Sequence, residues 1–182
     1  MRQRLLDAAV QLLSRGSAAP VTTKAVADAA NVSIGTVYRY FNDREEILGV
    51  LLEAAIREIY NDLTTAVGSA LDLELDESTR AVVEAVTSSF ERHAPVLRAF
   101  AERGTDIELS RRIESTLFPL ARVIPARHRP DLSPDRLDDL VFVTMGFTAS
   151  GCLRIALQRP RNANRRAMID VTARMLAAAL RP

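Results

Sequence analysis

Apolar residues recur at intervals of three and four along almost the whole chain, and no stretch alternates for long between apolar and polar residues. Spacing of three and four is the pattern of an amphipathic α-helix, whereas strict alternation would indicate a half-buried strand. Glycines and prolines separate the periodic stretches, as they commonly separate helices. The sequence therefore predicts an all-α fold.

A first helix is predicted over residues 3–14, and Gly16 is expected to stop it. A loop up to residue 21 follows, and after it two short helices are predicted. Thr22 is the expected N-cap of the second helix. In that helix Val26 and Ala29 are expected to point inward. The second helix is thus short, with one small buried face.

A tight turn separates the second and third predicted helices. Asn31 lies in this turn, and Asn tolerates the left-handed backbone conformation. Ser33 is the expected N-cap of the third helix, which runs to Tyr40, while Val37 and Phe41 lie four residues apart and face inward. Two short helices across a tight turn, packed on an apolar first helix, predict a helix-turn-helix.

Longer helices make up the rest of the chain, beginning with one that starts at Asn42. The side chain of Asn42 is expected to accept from the amide of Glu45 while Glu45 reaches back, which is a capping box. A later helix from Pro134 has apolar residues on nearly all sides, so we expect it to be buried all round. Further helices are predicted at about 77–93, 95–103, 106–124 and 163–180, with breaks at 68–76 and 127–132.

The predicted helices divide the chain into a helix-turn-helix domain, residues 1–46, and a larger helical domain, residues 47–182. Residues 1–44 contain six basic and three acidic side chains, which fits contact with phosphate at that end. The single cysteine excludes a disulfide framework and fits a reducing cytoplasm. The most apolar stretch, residues 141–153, is shorter than the roughly 20 residues that a membrane span needs. We therefore expect a cytoplasmic protein with no membrane partner.

One block carries the most specific pattern in the chain, namely VTTKAVADAANVSIGTVYRYFNDREEIL at residues 21–48. Together with LLDAAVQLLSRG before it, this block resembles the N-terminal DNA-binding domain of the TetR family of repressors. The resemblance covers residues 4–52, in order and with the family's spacing. It implies a DNA-binding transcription regulator, a homodimeric repressor that a small molecule releases from its operator.

The third helix is the expected recognition helix, because the second helix of such a motif enters the major groove with its N-terminal residues at the base edges. Gly35 lets the backbone approach DNA closely, while hydroxyls and Arg39 can contact phosphate or a guanine edge. The resemblance adds contacts from the start of the preceding helix and of the long helix. The predicted DNA-binding residues are Thr22, Thr23, Lys24, Ser33, Gly35, Thr36, Tyr38, Arg39, Tyr40 and Arg44.

Residues 53–182 resemble the family in architecture only, which implies an effector pocket and a homodimer interface through the last two helices. The candidate pocket residues, which suggest an apolar or weakly polar effector, are Phe90, Leu97, Phe100, Leu117, Phe118, Met145, Phe147, Thr148 and Cys152. The candidate interface residues are Gly146, Ala149, Ser150, Met168, Val171, Met175, Leu176 and Ala179. For both sets, the alternative is an ordinary core within one chain.

Catalysis has little support in the sequence, and no metal or cofactor is expected. His93 and His128 are far apart and lack the spacing of a metal site. Cys152 has no basic neighbour before Arg154 to activate it. Two alternatives to a ligand-responsive repressor stay open. One is a TetR-like activator or DNA-binding protein without a small-molecule effector, and the other is an all-α enzyme or carrier that uses a cavity in the larger domain.

Overall fold

The computed structural model describes residues 1–15, 21–101 and 106–182. Every regular element among these residues is an α-helix, which confirms the all-α prediction. The predicted helix stop at Gly16 and most of the loop that follows it lie outside the described residues. The helices are α1 Arg2–Ser14, α2 Thr23–Ala29, α3 Ile34–Tyr38, α4 Arg44–Ala70, α5 Leu75–Arg92, α6 Ala94–Ala101, α7 Asp106–Ala121, α8 Val123–His128, α9 Pro134–Gln158 and α10 Arg165–Leu180.

The first of two compact units comprises the described residues of 1–55 and 95–105. In it α1 packs against α2, and α2 packs against α3. Val26, Val37 and Phe41 are fully buried, as their spacing predicted. Burying such side chains stabilises the unit by about 1.5–3 kcal/mol each. The helix-turn-helix therefore stands on an apolar core of its own.

Ala29 does not face that core, and the prediction that it points inward is wrong. Ala29 is exposed, whereas Val26, Ala27 and Ala30 are buried. These three residues define the buried face of α2, and Ala29 lies roughly 100° around the helix from the middle of that face. The spacing of three from Val26 to Ala29 was therefore the wrong choice, and the spacing of four to Ala30 is the one that the helix uses.

The start of α4 differs from the predicted capping box by one residue. The Oδ1 of Asp43 accepts from the amide of Glu46 at 2.8 Å. The Oε2 of Glu46 accepts in turn from the backbone and side-chain amides of Asn42 at 2.7 and 3.0 Å. Asp43 and Glu46 thus replace the predicted pair Asn42 and Glu45. Both pairs have the spacing of a capping box, so the pattern alone could not distinguish them.

Two of the breaks between the later helices differ from the prediction. Only residues 71–74 separate α4 from α5, because α4 continues through Gly68, whose helical conformation costs about 1 kcal/mol. The helix expected at 106–124 ends at Ala121, and the short helix α8 follows it. Pro125 lies in the first turn of α8, where proline is tolerated.

The second compact unit comprises residues 56–94 and the described residues of 106–182. In it α5 packs against α9 and α10, and α9 also packs against α7. Residues 47–55 of α4 group with the first unit. The domain boundary predicted between residues 46 and 47 stays a prediction.

A cluster of partly exposed charged side chains joins α10 to α5. The Nε of Arg165 donates to both carboxylate oxygens of Glu91 at 3.0 and 2.9 Å, and its guanidinium also donates to Glu84 at 2.6 Å. The hydrogen bonds that Arg165 donates to Glu91, and to a smaller extent the one to Glu84, raise the pKa of Arg165. Bidentate contacts of this kind fix geometry as well as adding energy.

Within the single chain, the helix from Pro134 is not buried all round, contrary to the prediction. Phe142 and Val143 in α9 are 72% and 64% exposed, because they lie on the side of α9 opposite its packed face. Among the described residues, α9 is the one helix whose length and composition would suit a membrane span. Core helices pass the same test, and α9 packs against α5, α7 and α10 as a core helix does.

Candidate nucleic-acid interface

Side-chain caps begin both helices of the helix-turn-helix. The Oγ1 of Thr22 accepts from the amide of Ala25 at 3.0 Å, and the Oγ of Ser33 accepts from the amide of Thr36 at 3.2 Å. Both predicted N-caps are confirmed. Because a capping hydroxyl oxygen acts as the acceptor, the Thr22 hydroxyl proton is left to donate elsewhere.

The turn between α2 and α3 depends on Asn31, which has a φ of 51°. The amide of Val32 donates to the carbonyl of Ala27 at 3.0 Å, and the amide of Asn31 donates to that of Asp28 at 3.0 Å. This pair of bonds is the Schellman motif, in which glycine usually takes the left-handed position. The prediction that Asn31 would support the turn is confirmed.

Hydroxyl groups from α2 and α3 meet across this turn. The Oγ1 of Thr23 lies 3.4 Å from the phenolic oxygen of Tyr38, and the Oγ of Ser33 lies 2.9 Å from the Oγ1 of Thr36. Tyr38 is 54% exposed, and Tyr40 beside it is also exposed. The start of α2 and the length of α3 therefore present donors and acceptors on one surface.

Basic side chains of the same unit supply positive charge. Lys24 and Arg39 are exposed, and Arg44 is partly exposed. The Arg44 Nε has no hydrogen-bond partner among the described residues, although its Nη1 lies 3.8 Å from Glu45. Exposed cations such as Lys24 and Arg39 suit phosphate oxygens, the acceptors that dominate protein–DNA contacts.

Gly35 is exposed on α3, and the fold does not require a glycine there. A methyl group added at its Cα would meet nothing closer than the Oγ of Ser33 at 3.9 Å. The absence of a side chain thus serves no packing need within the described part of the chain. It leaves the backbone of α3 open to close approach from outside.

Ile34 is a candidate contact that the sequence did not reveal. It lies three residues before the buried Val37, so helical spacing favours an inward position, yet it is 44% exposed. An exposed isoleucine among polar side chains at the start of a recognition helix can contact a thymine methyl group. The sequence did offer one indication, because the neighbouring Ser33 and Gly35 are both predicted DNA-contact residues, and both are exposed.

In the second unit, apolar side chains from α4, α5, α7, α8, α9 and α10 line a cavity. It offers about 70 Å³ to the centres of water-sized molecules, against the roughly 10–15 Å³ that one water needs. Four predicted pocket residues border it, namely Phe90, Leu117, Met145 and Thr148. The other candidates do not line it; they are Leu97, Phe100, Phe118, Phe147 and Cys152.

Physical reasons separate those five residues from the cavity. Leu97 and Phe100 are in α6, which groups with the first unit. Phe118 and Phe147 each follow a lining residue by one or two positions, a step that turns a side chain away around a helix. Cys152 is buried against α5, where its Sγ lies 3.8 Å from the carbonyl of Val83.

The candidate interface residues divide into an outer and an inner group. Ser150, Val171 and Met175 are exposed, and Gly146, Met168 and Ala179 are partly exposed. Leu176, in contrast, is buried in its own unit and borders the cavity, as Ala149 also does. One step along α10 rotates the side chain by 100°, which explains why Met175 points outward and Leu176 inward.

The titratable residues that a catalytic hypothesis would need are dispersed. His93 pairs with Glu58 at 3.4 Å, and the Nε2 of His128 lies 3.3 Å from the hydroxyl of Ser78. Asp138 pairs with Arg122 at 2.6 Å. The described residues contain no group of three His, Cys, Asp or Glu side chains that could hold a metal ion.

Similarity to known proteins agrees with the helix-turn-helix geometry. The family model for bacterial regulatory proteins of the tetR family matches residues 5–51. The transcriptional repressor KstR of Mycobacterium tuberculosis is 45% identical over 47 residues, which are 26% of this chain and 21% of KstR. The transcriptional regulator TtgW of Pseudomonas putida is 31% identical over 101 residues, which cover 56% of this chain and 69% of TtgW. The chain belongs to the TetR family.

The fold of this TetR-family chain extends the likeness beyond the helix-turn-helix. The structure of Thermus thermophilus FadR, a TetR-family transcriptional repressor in complex with lauroyl-CoA, aligns with 97% of this chain and 93% of FadR. The TM-score is 0.61 at 21% identity, so the two share a fold. In sequence, by contrast, the TetR-family chain spans only about a fifth of the length of KstR.

Proposed function

We propose that this protein is a homodimeric transcription repressor of the bacterial cytoplasm that binds operator DNA through α3 and is released by a small apolar molecule. The hydroxyl surface of α2 and α3 is the observation that carries this proposal. It joins Thr23 to Tyr38 on an exposed face, next to Lys24. Membership of the TetR family supports the same conclusion.

On DNA, α3 lies in the major groove with Gly35 nearest the bases. Thr36, Tyr38 and Tyr40 donate to phosphate oxygens, and Arg39 reaches a phosphate or a guanine edge. Ile34 adds an apolar contact with a thymine methyl group. The remaining proposed contacts, which anchor the phosphate backbone, are Thr22, Thr23, Lys24, Ser33 and Arg44.

The homodimer forms through the outer faces of α9 and α10. Four large apolar side chains are exposed there, namely Phe142, Val143, Val171 and Met175. Exposed large apolar side chains on two helices that pack together favour an interaction site. A second copy of the same surface covers it, and a two-fold dimer then matches a partly palindromic operator with half-sites about 34 Å apart or a multiple of this.

The cavity of the second unit receives the effector. Its lining is apolar apart from threonine side chains, which suits a molecule that is driven out of water. The complex of FadR with lauroyl-CoA supports ligand binding in a protein of this fold. The effector prefers the conformation that does not bind DNA, and so it shifts the population away from the operator.

Gel-shift assays on genomic fragments selected by the wild-type protein test the DNA-binding surface. Tyr38→Phe removes one hydroxyl and should weaken binding severalfold, while Thr36→Ala and Tyr38→Ala should each weaken it by about 100-fold or more. The control is Thr116→Ala, which removes an exposed hydroxyl from α7. If all three α3 variants bind like wild type, α3 does not contact the operator.

A further inference from the structure

Three threonines border the otherwise apolar cavity, and only one of them has an unused hydroxyl. The Oγ1 of Thr79 donates to the carbonyl of Leu75 at 2.8 Å, and that of Thr144 donates to the carbonyl of Leu140 at 2.7 Å. The Oγ1 of Thr148 is buried and has no hydrogen-bond partner among the described residues. Thr148 itself is 8% exposed.

An unpaired buried hydroxyl is unfavourable relative to one that is satisfied. Thr148 lies on α9 one helical turn after Thr144, in the row that faces the cavity. It does not use the common alternative, a bond to the carbonyl four residues earlier. A ligand oxygen that reached Thr148 would therefore satisfy a group that the fold leaves unsatisfied.

Among the described residues, the rest of the lining carries no charge. These residues are aliphatic, aromatic, proline, methionine or threonine, and none of them is Asp, Glu, Lys, Arg or His. A buried carboxylate or phosphate would find no cation among them and would be strongly disfavoured. The cavity is thus selective against charged ligands and against ligands with several polar groups.

We infer that Thr148 is the polar anchor for an uncharged, apolar effector that carries one carbonyl or hydroxyl oxygen. This inference rests on the proposed ligand-responsive function and defines the chemical class of the ligand. The apolar body of the ligand fills the space beside Phe90 and Met145, and its oxygen pairs with the Thr148 hydroxyl. The remainder of the lining contributes shape and not polarity.

Three probes of similar shape separate the effects of the ligand's oxygen, apolar body and charge. Acetophenone has a carbonyl, ethylbenzene has no oxygen, and benzoate is an anion. Calorimetric titration of the DNA-free protein should detect the two neutral probes and not benzoate. Thr148→Val preserves volume and removes the hydroxyl, so it should weaken acetophenone about tenfold and leave ethylbenzene unchanged or tighter. Thr144→Val is the matched control and should affect both neutral probes alike.

Three results would overturn the inference. They are an equal effect of Thr148→Val on both neutral probes, binding of benzoate as strong as that of acetophenone, and no binding of either neutral probe. Operator binding by the ligand-free Thr148→Val variant is measured separately by gel shift, and it should equal that of wild type. Failure of the ligand inference is thereby distinguished from failure of DNA binding.

Discussion

The two compact units of the chain differ in how narrowly the proposed binding partner restricts the residue types at the binding surface. In the first unit, the exposed positions proposed for DNA contact hold particular residue types, such as Gly35 and Tyr38 on α3. In the second, the residues proposed for ligand and dimer contacts are mostly aliphatic or aromatic. The DNA backbone presents the same phosphate acceptors throughout, so contacts with it require particular side chains. An apolar cavity, in contrast, can be lined by many combinations of apolar side chains of similar total volume. The specificity of a sequence pattern therefore reflects how particular its partner is.

The largest effect is expected from a substitution in the second unit that abolishes DNA binding by disrupting the dimer. Met175 is 55% exposed on α10, so Met175→Glu should leave the single chain folded. In a dimer the new charge would be buried without a partner, and the dimer should dissociate. Light scattering should show a monomer, and operator affinity should fall by about 100-fold or more because bivalent binding is lost.

Ala126→Glu introduces the same charge on the exposed side of α8 and serves as the control. It should remain dimeric and bind DNA normally. A Met175→Glu protein that stays dimeric with unchanged affinity would show that the outer face of α10 is not the interface.

Two glycines, one in each unit, sharpen the comparison. Gly35→Ala should fold normally, since the added methyl group meets only a side-chain oxygen at 3.9 Å, yet it should weaken operator binding roughly tenfold, as one lost base-pair contact does. Gly151→Ala places a methyl group 3.4 Å from Thr172, an ordinary contact, and should leave DNA affinity unchanged. Thermal melting and gel shift on both variants check this pair. Equal affinity in the two would mean that α3 does not approach DNA closely.

Salt dependence distinguishes the charges of the two units. Removing Lys24 or Arg44 by substitution with Gln should reduce the slope of log affinity against log salt concentration by about one each, because each releases one counterion on binding phosphate. Arg127→Gln, on the exposed side of α8, should leave the slope unchanged. Titrations at several salt concentrations measure the slope, and identical slopes for all proteins would contradict phosphate contact.

The smallest expected effect concerns the turn. Asn31→Ala forces an alanine into the left-handed conformation and should lower the free energy of unfolding by about 1 kcal/mol. Asn31→Gly should be neutral or stabilising. Denaturant unfolding of the two variants makes the comparison, and a loss in both would indicate that the Asn31 side chain itself stabilises the turn.

Local rules predicted the features that depend on one or two residues. The caps at Thr22 and Ser33, and the left-handed Asn31, follow from side-chain chemistry that acts within a single turn. Where two local solutions have nearly equal energy, the sequence could not choose between them. The capping box at Asp43 instead of Asn42 is one example, and the exposure of Ala29 is another.

Exposure on longer helices was harder to predict, because it depends on which neighbours are present. Phe142 and Val143 are apolar and were assigned to a buried helix, yet they are exposed among the described residues of their own chain. Likewise, apolar periodicity cannot tell a cavity wall from a packed core. Thr148 became informative only once the structure showed that its hydroxyl lacks a partner, which no sequence pattern records.

The distribution of reactive side chains gives each unit its own chemical reporter. Lys24 is the one lysine of the sequence and is exposed at the start of α2, so an amine-selective reagent modifies a single side chain, which bound DNA would shield. Cys152 is the one cysteine, and burial raises its pKa to about 11, so thiol reagents near neutral pH spare it until the second unit opens. Mass spectrometry of one doubly labelled sample can thus follow operator occupancy and unfolding at the same time.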